Sequence, residues 1–168
     1  MKTNFIDTAI SGFGIIYIIG FIMFIPLLYA KDNGKLLIWY LAIAAWGTDT
    51  FAYFFGIRFG KHKLTPISPK KSIEGSIGGI VGAVIVSIIY TYIINKTGKM
   101  EISYIVISAI TAMLSILSQI GDLAASSIKR YTGIKDFGEL IPGHGGMLDR
   151  IDSILFIAPF AYFLLMLV

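Results

Sequence analysis

Long apolar blocks separated by short polar stretches dominate the hydropathy pattern of this 168-residue chain. A helix needs about 20 apolar residues to cross the hydrocarbon layer of a bilayer, and several blocks approach that length. The predicted spans are residues 9–30, 36–57, 77–94, 102–121 and 151–168. The pattern therefore predicts an all-α, polytopic membrane helix bundle, a single domain over residues 1–168 with about five transmembrane helices and two long loops on one side.

The composition agrees with a membrane protein. Hydrophobic residues make up 56% of the chain and charged residues 14%, and the mean hydropathy is +0.80. Soluble domains carry about 25% charged residues. The chain has no cysteine, which excludes disulfides and thiolate metal sites. The net charge of +4 is modest, and we expect no nucleic-acid partner.

The distribution of basic residues predicts the orientation in the membrane. Five spans place residues 1–8, 58–76 and 122–150 on one side, together with ten of the fourteen lysines and arginines. Since Lys and Arg accumulate on the cytoplasmic side, both long loops are predicted to face the cytoplasm. The expected location is the cytoplasmic membrane, with multiple passes.

Polar residues within the predicted spans indicate where the chemistry lies. Asp49 stands nine residues before Arg58 in the second span, about 13 Å deep in a regular helix. An ionisable group at that depth is costly and usually faces a bundle interior, a partner or a cavity. The fourth span carries polar residues at spacings of three and four, on one face of a continuous helix: Tyr104, Ser108, Thr111, Ser115, Ser118, Asp122, Ser126 and Lys129.

The last inner loop combines carboxylates, cations and glycines. Asp149 and Asp152 are three residues apart at the start of the fifth span and share a helical face. The run His144-Gly145-Gly146 follows Pro142, and successive glycine N–H groups can converge on a phosphate. Oxygen ligands favour Mg²⁺ or Mn²⁺ over softer metals. These residues point to an enzyme that handles a phosphate-bearing lipid and a charged, water-soluble phosphate compound.

Two sequence motifs carry a family resemblance. One runs from Ser127-Ile128-Lys129-Arg130 through Lys135-Asp136, Pro142-Gly143-His144-Gly145-Gly146 and Asp149-Arg150-Ile151-Asp152. The other runs from Trp46-Gly47-Thr48-Asp49 to Ile67-Ser68-Pro69-Lys70-Lys71 and Glu74-Gly75. Together they resemble the phosphatidate cytidylyltransferases, also called CDP-diacylglycerol synthases.

The resemblance implies a reaction and a set of site residues. Phosphatidate and CTP give CDP-diacylglycerol and pyrophosphate, with Mg²⁺ required and a second cation compatible with the site. The implied metal ligands are Asp122 and Asp149, supported by Asp152 or Asp49. Lys129, Arg130 and Arg150 are expected to hold the triphosphate. Ser68, Lys70 and Lys71 are expected to bind a phosphate at the membrane surface. The turn His144, Gly145 and Gly146 is expected to cradle another phosphate.

Members of that family usually carry further spans before the equivalent of the first span here. We therefore expect this chain to be either a minimal or a truncated form of the family, and its membership alone does not establish activity in isolation. Glycine-rich helix faces and the resemblance together favour a homodimer.

Other functions compete with this interpretation. An archaeal-type cytidylyltransferase acting on ether lipids is also small and five-spanning, but it typically reads D-Q-L-D where this chain has Asp149-Arg150-Ile151-Asp152. A transporter would also bury Asp49, yet no internal repeat is visible and the inner-loop motifs would be unexplained. A non-catalytic membrane partner would bind no CTP and release no pyrophosphate.

Overall fold

The computed structural model describes residues 4–138 and 145–168, without the side chains of residues 6, 7, 9 and 10. Within these ranges the chain is helical apart from its connections, and it contains no β-strand. The α-helices are α1 (Phe5–Ile15), α2 (Phe24–Tyr29), α3 (Gly34–Ala42), α4 (Thr48–Phe59), α5 (Ile73–Lys96), α6 (Tyr104–Tyr131) and α7 (Leu148–Leu165). Two π-helical turns, Ile16–Gly20 and Ile43–Gly47, follow α1 and α3.

The predicted all-α membrane helix bundle is confirmed. Three stretches are long and apolar enough to cross a membrane by length and composition, and they match the first, third and fourth predicted spans. They are Ser11–Tyr29, Ile73–Lys96 and Tyr104–Tyr131. Helices α3 and α4 cover the second predicted span and α7 covers the fifth, but the count of five spans remains a prediction.

Glycines bring α4 and α5 into close contact. A Cβ on Gly79 would lie 2.7 Å from the Thr48 backbone oxygen, and a Cβ on Gly75 would lie 2.7 Å from the Ala52 oxygen. Gly82 leaves the space that the Phe51 ring fills. Small residues at this spacing let two helices approach until their backbones touch. The glycines at the start of α5 therefore allow close packing of this helix against α4.

The core of the bundle forms between α3, α6 and α7. Tyr40, Leu114 and Ile157 are fully buried there and belong to one hydrophobic cluster. The Tyr40 hydroxyl lies 2.7 Å from Thr91 Oγ1 of α5, and Thr91 Oγ1 donates to the Ser87 oxygen at 2.8 Å. This pairing gives the buried phenol a hydrogen-bond partner.

Helix α6 runs without a break from Tyr104 to Tyr131, as the spacing of its polar residues predicted. It therefore carries Asp122 and Lys129 on one rigid element. Its last turns pack against the start of α7, while α4 begins directly after the π-helical turn Ile43–Gly47. The first turns of α4 and α7 and the last turns of α6 consequently meet around a group of aspartates.

Candidate functional site

Two aspartates from different helices approach the same serine. Asp49 stands in the first turn of α4, and Asp152 stands near the start of α7. Ser153 Oγ lies 3.4 Å from Asp49 Oδ2 and 3.4 Å from Asp152 Oδ1, and Ser153 N donates to Asp152 Oδ1 at 2.8 Å. Asp152 is only 6% exposed, so the pair depends on protein groups or a bound cation for its stabilisation.

Asp149 is held by an ion pair and by two backbone groups. Lys129 Nζ lies 2.9 Å from Asp149 Oδ1 and 3.9 Å from Asp152 Oδ2. The N–H groups of Phe137 and Gly146 donate to Asp149 Oδ2 at 2.8 and 3.0 Å. Burial by itself would raise the pKa of the Asp149 carboxyl, but these hydrogen bonds and the lysine charge outweigh it and hold the pKa below its usual value. Asp149 is therefore ionised at neutral pH.

The fourth acidic residue, Asp122 of α6, forms an ion pair with Lys71. Lys71 lies just before α5, so this pair connects the inner loop that follows α4 to the end of α6. Both side chains keep about a quarter of their surface exposed, at 27% and 23%. Because this ion pair is partly exposed to solvent, separating Lys71 from Asp122 costs less free energy than separating a pair in a closed interior.

A cavity of about 320 Å³ opens beside this ion pair. Helix α4, the inner loop, α5 and α6 all contribute to its wall. The lining residues include Asp49, Tyr53, Leu64, Ser68, Lys70, Lys71, Ser76, Gln119, Asp122 and Ser126. The structure thus brings five of the predicted site residues, Asp49, Ser68, Lys70, Lys71 and Asp122, to the wall of one cavity.

The four predicted metal ligands lie within electrostatic range of one another. Asp49 interacts with Asp122 and Asp152, and Asp152 also interacts with Asp149. Among the described residues, however, no three acidic or histidine side chains gather closely enough to hold a metal ion on their own. Mg²⁺ is usually held by one or two carboxylates, water and substrate phosphates, and the Asp49–Asp152 pair fits that mode of binding.

Other predicted residues lie away from the cavity. The side chains of Arg130 and Arg150 are exposed, at the end of α6 and in the first turn of α7. Gly145, at φ +78°, lies beside Asp149, and the N–H of Gly146 donates to that carboxylate. His144 lies outside the described residues, so the predicted glycine-rich phosphate cradle remains a prediction.

Sequence reasoning missed three residues of the cavity wall. Gln119 of α6 donates from Nε2 to the Ser76 oxygen at 3.2 Å and accepts from Ser76 Oγ, and Tyr53 extends along α4 beside them. A glutamine within a predicted span has an amide that needs hydrogen-bond partners, so it is a signal for a buried polar contact. It was overlooked because Gln119 is adjacent to the polar face that contains Ser118.

Comparison with known proteins identifies the family. The model of the cytidylyltransferase family matches residues 1–168. The chain belongs to the cytidylyltransferase family. The predicted resemblance is thereby confirmed at the level of the family.

Similar cytidylyltransferases come from several bacteria. The phosphatidate cytidylyltransferase of Bacillus subtilis is 45% identical over 145 residues, which cover 86% of this chain and 52% of the relative. That of Staphylococcus haemolyticus is 42% identical, covering 98% and 61%. That of Thermotoga maritima is 39% identical, covering 94% and 59%. The chain thus spans roughly half to three fifths of the length of these relatives.

Proposed function

We propose that this chain transfers the cytidylyl group of CTP to phosphatidate and so makes CDP-diacylglycerol and pyrophosphate. The observation that carries the proposal is the cavity whose wall combines Lys70 and Lys71 with Asp49 and Asp122. Lysines suit substrate phosphates and carboxylates suit the cation that accompanies them. The names of the relatives supply the two substrates.

In the proposed reaction, a phosphate oxygen of phosphatidate forms a bond to the α-phosphorus of CTP. The bond from that phosphorus to the bridging oxygen breaks, and pyrophosphate leaves with the electron pair. Transfers of this kind need positioning and charge neutralisation more than covalent help from the protein. Cationic side chains near the cavity supply both.

The lysines and arginines divide between two phosphate groups in this proposal. Lys70 and Lys71, with the Ser68 hydroxyl, bind the phosphatidate phosphate at the cavity. Lys129 orients Asp149, while Arg130 and Arg150 hold the triphosphate from the water side, where their side chains are exposed. On substrate binding Lys71 exchanges Asp122 for the lipid phosphate, which frees the Asp122 carboxylate.

Mg²⁺ fits the oxygen donors of this site. Asp49 and Asp152 would hold it, with Asp122 joining after it separates from Lys71 and Asp149 beside them. The ion would neutralise charge on the phosphates and polarise the transferring group. Mn²⁺ has the same ligand preference, and the group of carboxylates has the charge for a second cation.

The arrangement in the membrane is part of the same proposal. Five spans would place the loops at 58–76 and 122–150 in the cytoplasm, where CTP is available, and would leave the apolar outer faces to lipid. Because the chain has no cysteine, single cysteines can be introduced at Lys61 and Lys135. Labelling them in vesicles shows on which side of the membrane each loop lies. Crosslinking in native membranes tests the predicted homodimer.

The deciding experiment measures pyrophosphate release by the purified chain in mixed micelles with phosphatidate, CTP and Mg²⁺. We expect release that needs all three components and disappears in Asp149→Asn. Replacement of phosphatidate by an ether-lipid phosphate tests the archaeal-type alternative in the same assay. No release from folded protein that also fails to bind CTP would contradict the proposal.

A further inference from the structure

One carboxylate ties the inner loop to the start of α5. Glu74 stands in the first turn of that helix. Its Oε1 lies 2.6 Å from His62 Nδ1, and its Oε2 accepts from the N–H groups of Lys61 and His62 at 3.2 and 3.3 Å. A single side chain therefore fixes both the direction of the backbone after α4 and the orientation of an imidazole.

The fixed backbone continues into a short hairpin. Ile73 N donates to the His62 oxygen at 2.9 Å, and Leu64 N donates to the Lys71 oxygen at 2.9 Å. Between them Lys63 pairs with Ser72 in an antiparallel bridge. We call residues 61–73 the inner-loop hairpin. Its pairing register decides which side chains face the cavity.

The hairpin presents the phosphate-binding residues of the proposed site. Leu64, Ser68, Lys70 and Lys71 all line the cavity. Lys71 N donates to the Ser68 oxygen at 3.0 Å, so the serine and the lysine are held at adjacent places on the wall. Lys71 also reaches Asp122, which connects the register of the hairpin to the acidic residues.

The position of Glu74 favours a local role over a role in bundle stability. The His62 side chain is 74% exposed and that of Glu74 is 28% exposed, so the pair lies at the edge of the protein. Exposed ion pairs contribute little to folding. Hydrogen bonds from backbone N–H groups to a carboxylate are directional, and two of them suffice to fix the start of a hairpin.

We propose that Glu74, together with His62, is a positioning residue that sets the inner-loop hairpin so that Lys71 and Ser68 face the substrate phosphate. This inference rests on the proposed function, because it assigns Glu74 to the binding of the same phosphate. Glu74 acts through Lys71 and contacts no substrate itself.

The kinetic test uses the full chain in mixed micelles, with phosphatidate and CTP varied separately. Glu74→Ala should raise the KM for phosphatidate about tenfold, the loss typical of a charged hydrogen bond, with kcat and the KM for CTP within about threefold. His62→Ala should act in the same direction. His62→Asn should restore the wild-type KM, because the Asn amide can donate where Nδ1 does. Glu101→Ala, an exposed acidic residue before α6, is the matched control.

The effect must pass through Lys71. In a Lys71→Met background Glu74→Ala should therefore change the KM by less than about twofold, since coupled residues are non-additive. Independent, multiplying effects of the two substitutions would overturn the inference. So would a Glu74→Ala enzyme that loses kcat or folded fraction with an unchanged KM.

A measurement without turnover separates this inference from the proposed function. A spin label on Ile67→Cys, which is unique in a chain without cysteine, reports motion of the hairpin. Its spectrum should sharpen in Glu74→Ala and in His62→Ala, and should keep the wild-type line shape in His62→Asn. An unchanged spectrum in Glu74→Ala overturns the inference even if the wild type is active. A folded wild type that neither releases pyrophosphate nor binds CTP, while the label still sharpens in Glu74→Ala, would overturn the proposed function and leave the positioning of the hairpin supported.

Discussion

Lys129 Nζ lies 2.9 Å from Asp149 Oδ1, and the two side chains are only 11% and 8% exposed. They join the last turn of α6 to the first turn of α7. Removal of one member of a nearly buried ion pair leaves the other charge without compensation, which is more costly than loss of a surface pair. Both the geometry and the charge of the site therefore depend on Asp149.

Asp149→Asn should therefore abolish turnover. The amide keeps the shape of the side chain but removes the charge that faces Lys129 Nζ and the proposed cation. We expect kcat/KM to fall at least about a hundredfold, roughly 2.7 kcal/mol of transition-state stabilisation. Pyrophosphate release measures the loss, and Asp32→Asn in the exposed turn before α3 is the matched control.

Folding must be recorded beside this activity. Since Asn cannot balance the Lys129 charge, some loss of stability is expected, and thermal unfolding in detergent separates it from loss of chemistry. Turnover close to that of the wild type in the folded variant would remove Asp149 from the active site.

The ion pair between Lys71 and Asp122 gives a second prediction. If both groups act on substrate or cation, Lys71→Met and Asp122→Asn should each lower kcat/KM at least about a hundredfold, and the double variant should be no better than either. If the pair only holds the hairpin to α6, the neutral double variant should regain activity. Recovery of activity in the double variant would contradict the proposal that Lys71 leaves Asp122 to bind the lipid phosphate.

Helix continuity and helix contacts were predictable because both follow from local spacing. The three- and four-residue intervals from Tyr104 to Lys129 require one helix, and α6 is one helix. Small residues at 75, 79 and 83 have the four-residue spacing of close helix packing, and the glycines at 75 and 79 allow α4 to touch α5. The π-helical turn Ile43–Gly47 before Asp49 was not predicted, since it leaves the apolar pattern of the second span unchanged.

Partner choice within the site could not be predicted in the same way. The motifs identified Lys71, Asp122 and Lys129 as site residues, but their pairing depends on how three elements meet in space. The contact of Glu74 with His62 likewise joins two residues that no periodicity relates. Residue types and faces follow from sequence, whereas the choice between several nearby cations for one carboxylate follows from packing.

A third prediction concerns the packing of α4 on α5. A Cβ on Gly79 would lie 2.7 Å from the Thr48 oxygen, a backbone atom that cannot rotate away. Gly79→Ala should therefore force the helices apart and destabilise the fold by about 1–3 kcal/mol. Gly12→Ala is the matched control, because a Cβ there has nothing within 4 Å. Unfolding in a mixed-detergent titration measures both, and equal stability of the two variants would contradict the close packing.

The last prediction tests the Asp49–Asp152 pair as the holder of the cation. Asp49→Asn and Asp152→Asn each remove one of the two carboxylates that approach Ser153 Oγ, so each should raise the Mg²⁺ concentration for half-maximal turnover at least about tenfold. Mn²⁺ binding followed by electron paramagnetic resonance should weaken in parallel, which separates loss of the cation from loss of chemistry.

Two comparisons make that result specific to the pair. Asp32→Asn should leave the Mg²⁺ requirement unchanged, because its exposed carboxylate lies in the turn before α3. Lys70→Met should raise the KM for phosphatidate with little change in Mn²⁺ binding, because it removes the side chain proposed to bind the lipid phosphate and leaves the carboxylates in place. Wild-type Mn²⁺ binding in both Asp49→Asn and Asp152→Asn would place the cation elsewhere, with Asp122 as the remaining carboxylate on the cavity wall.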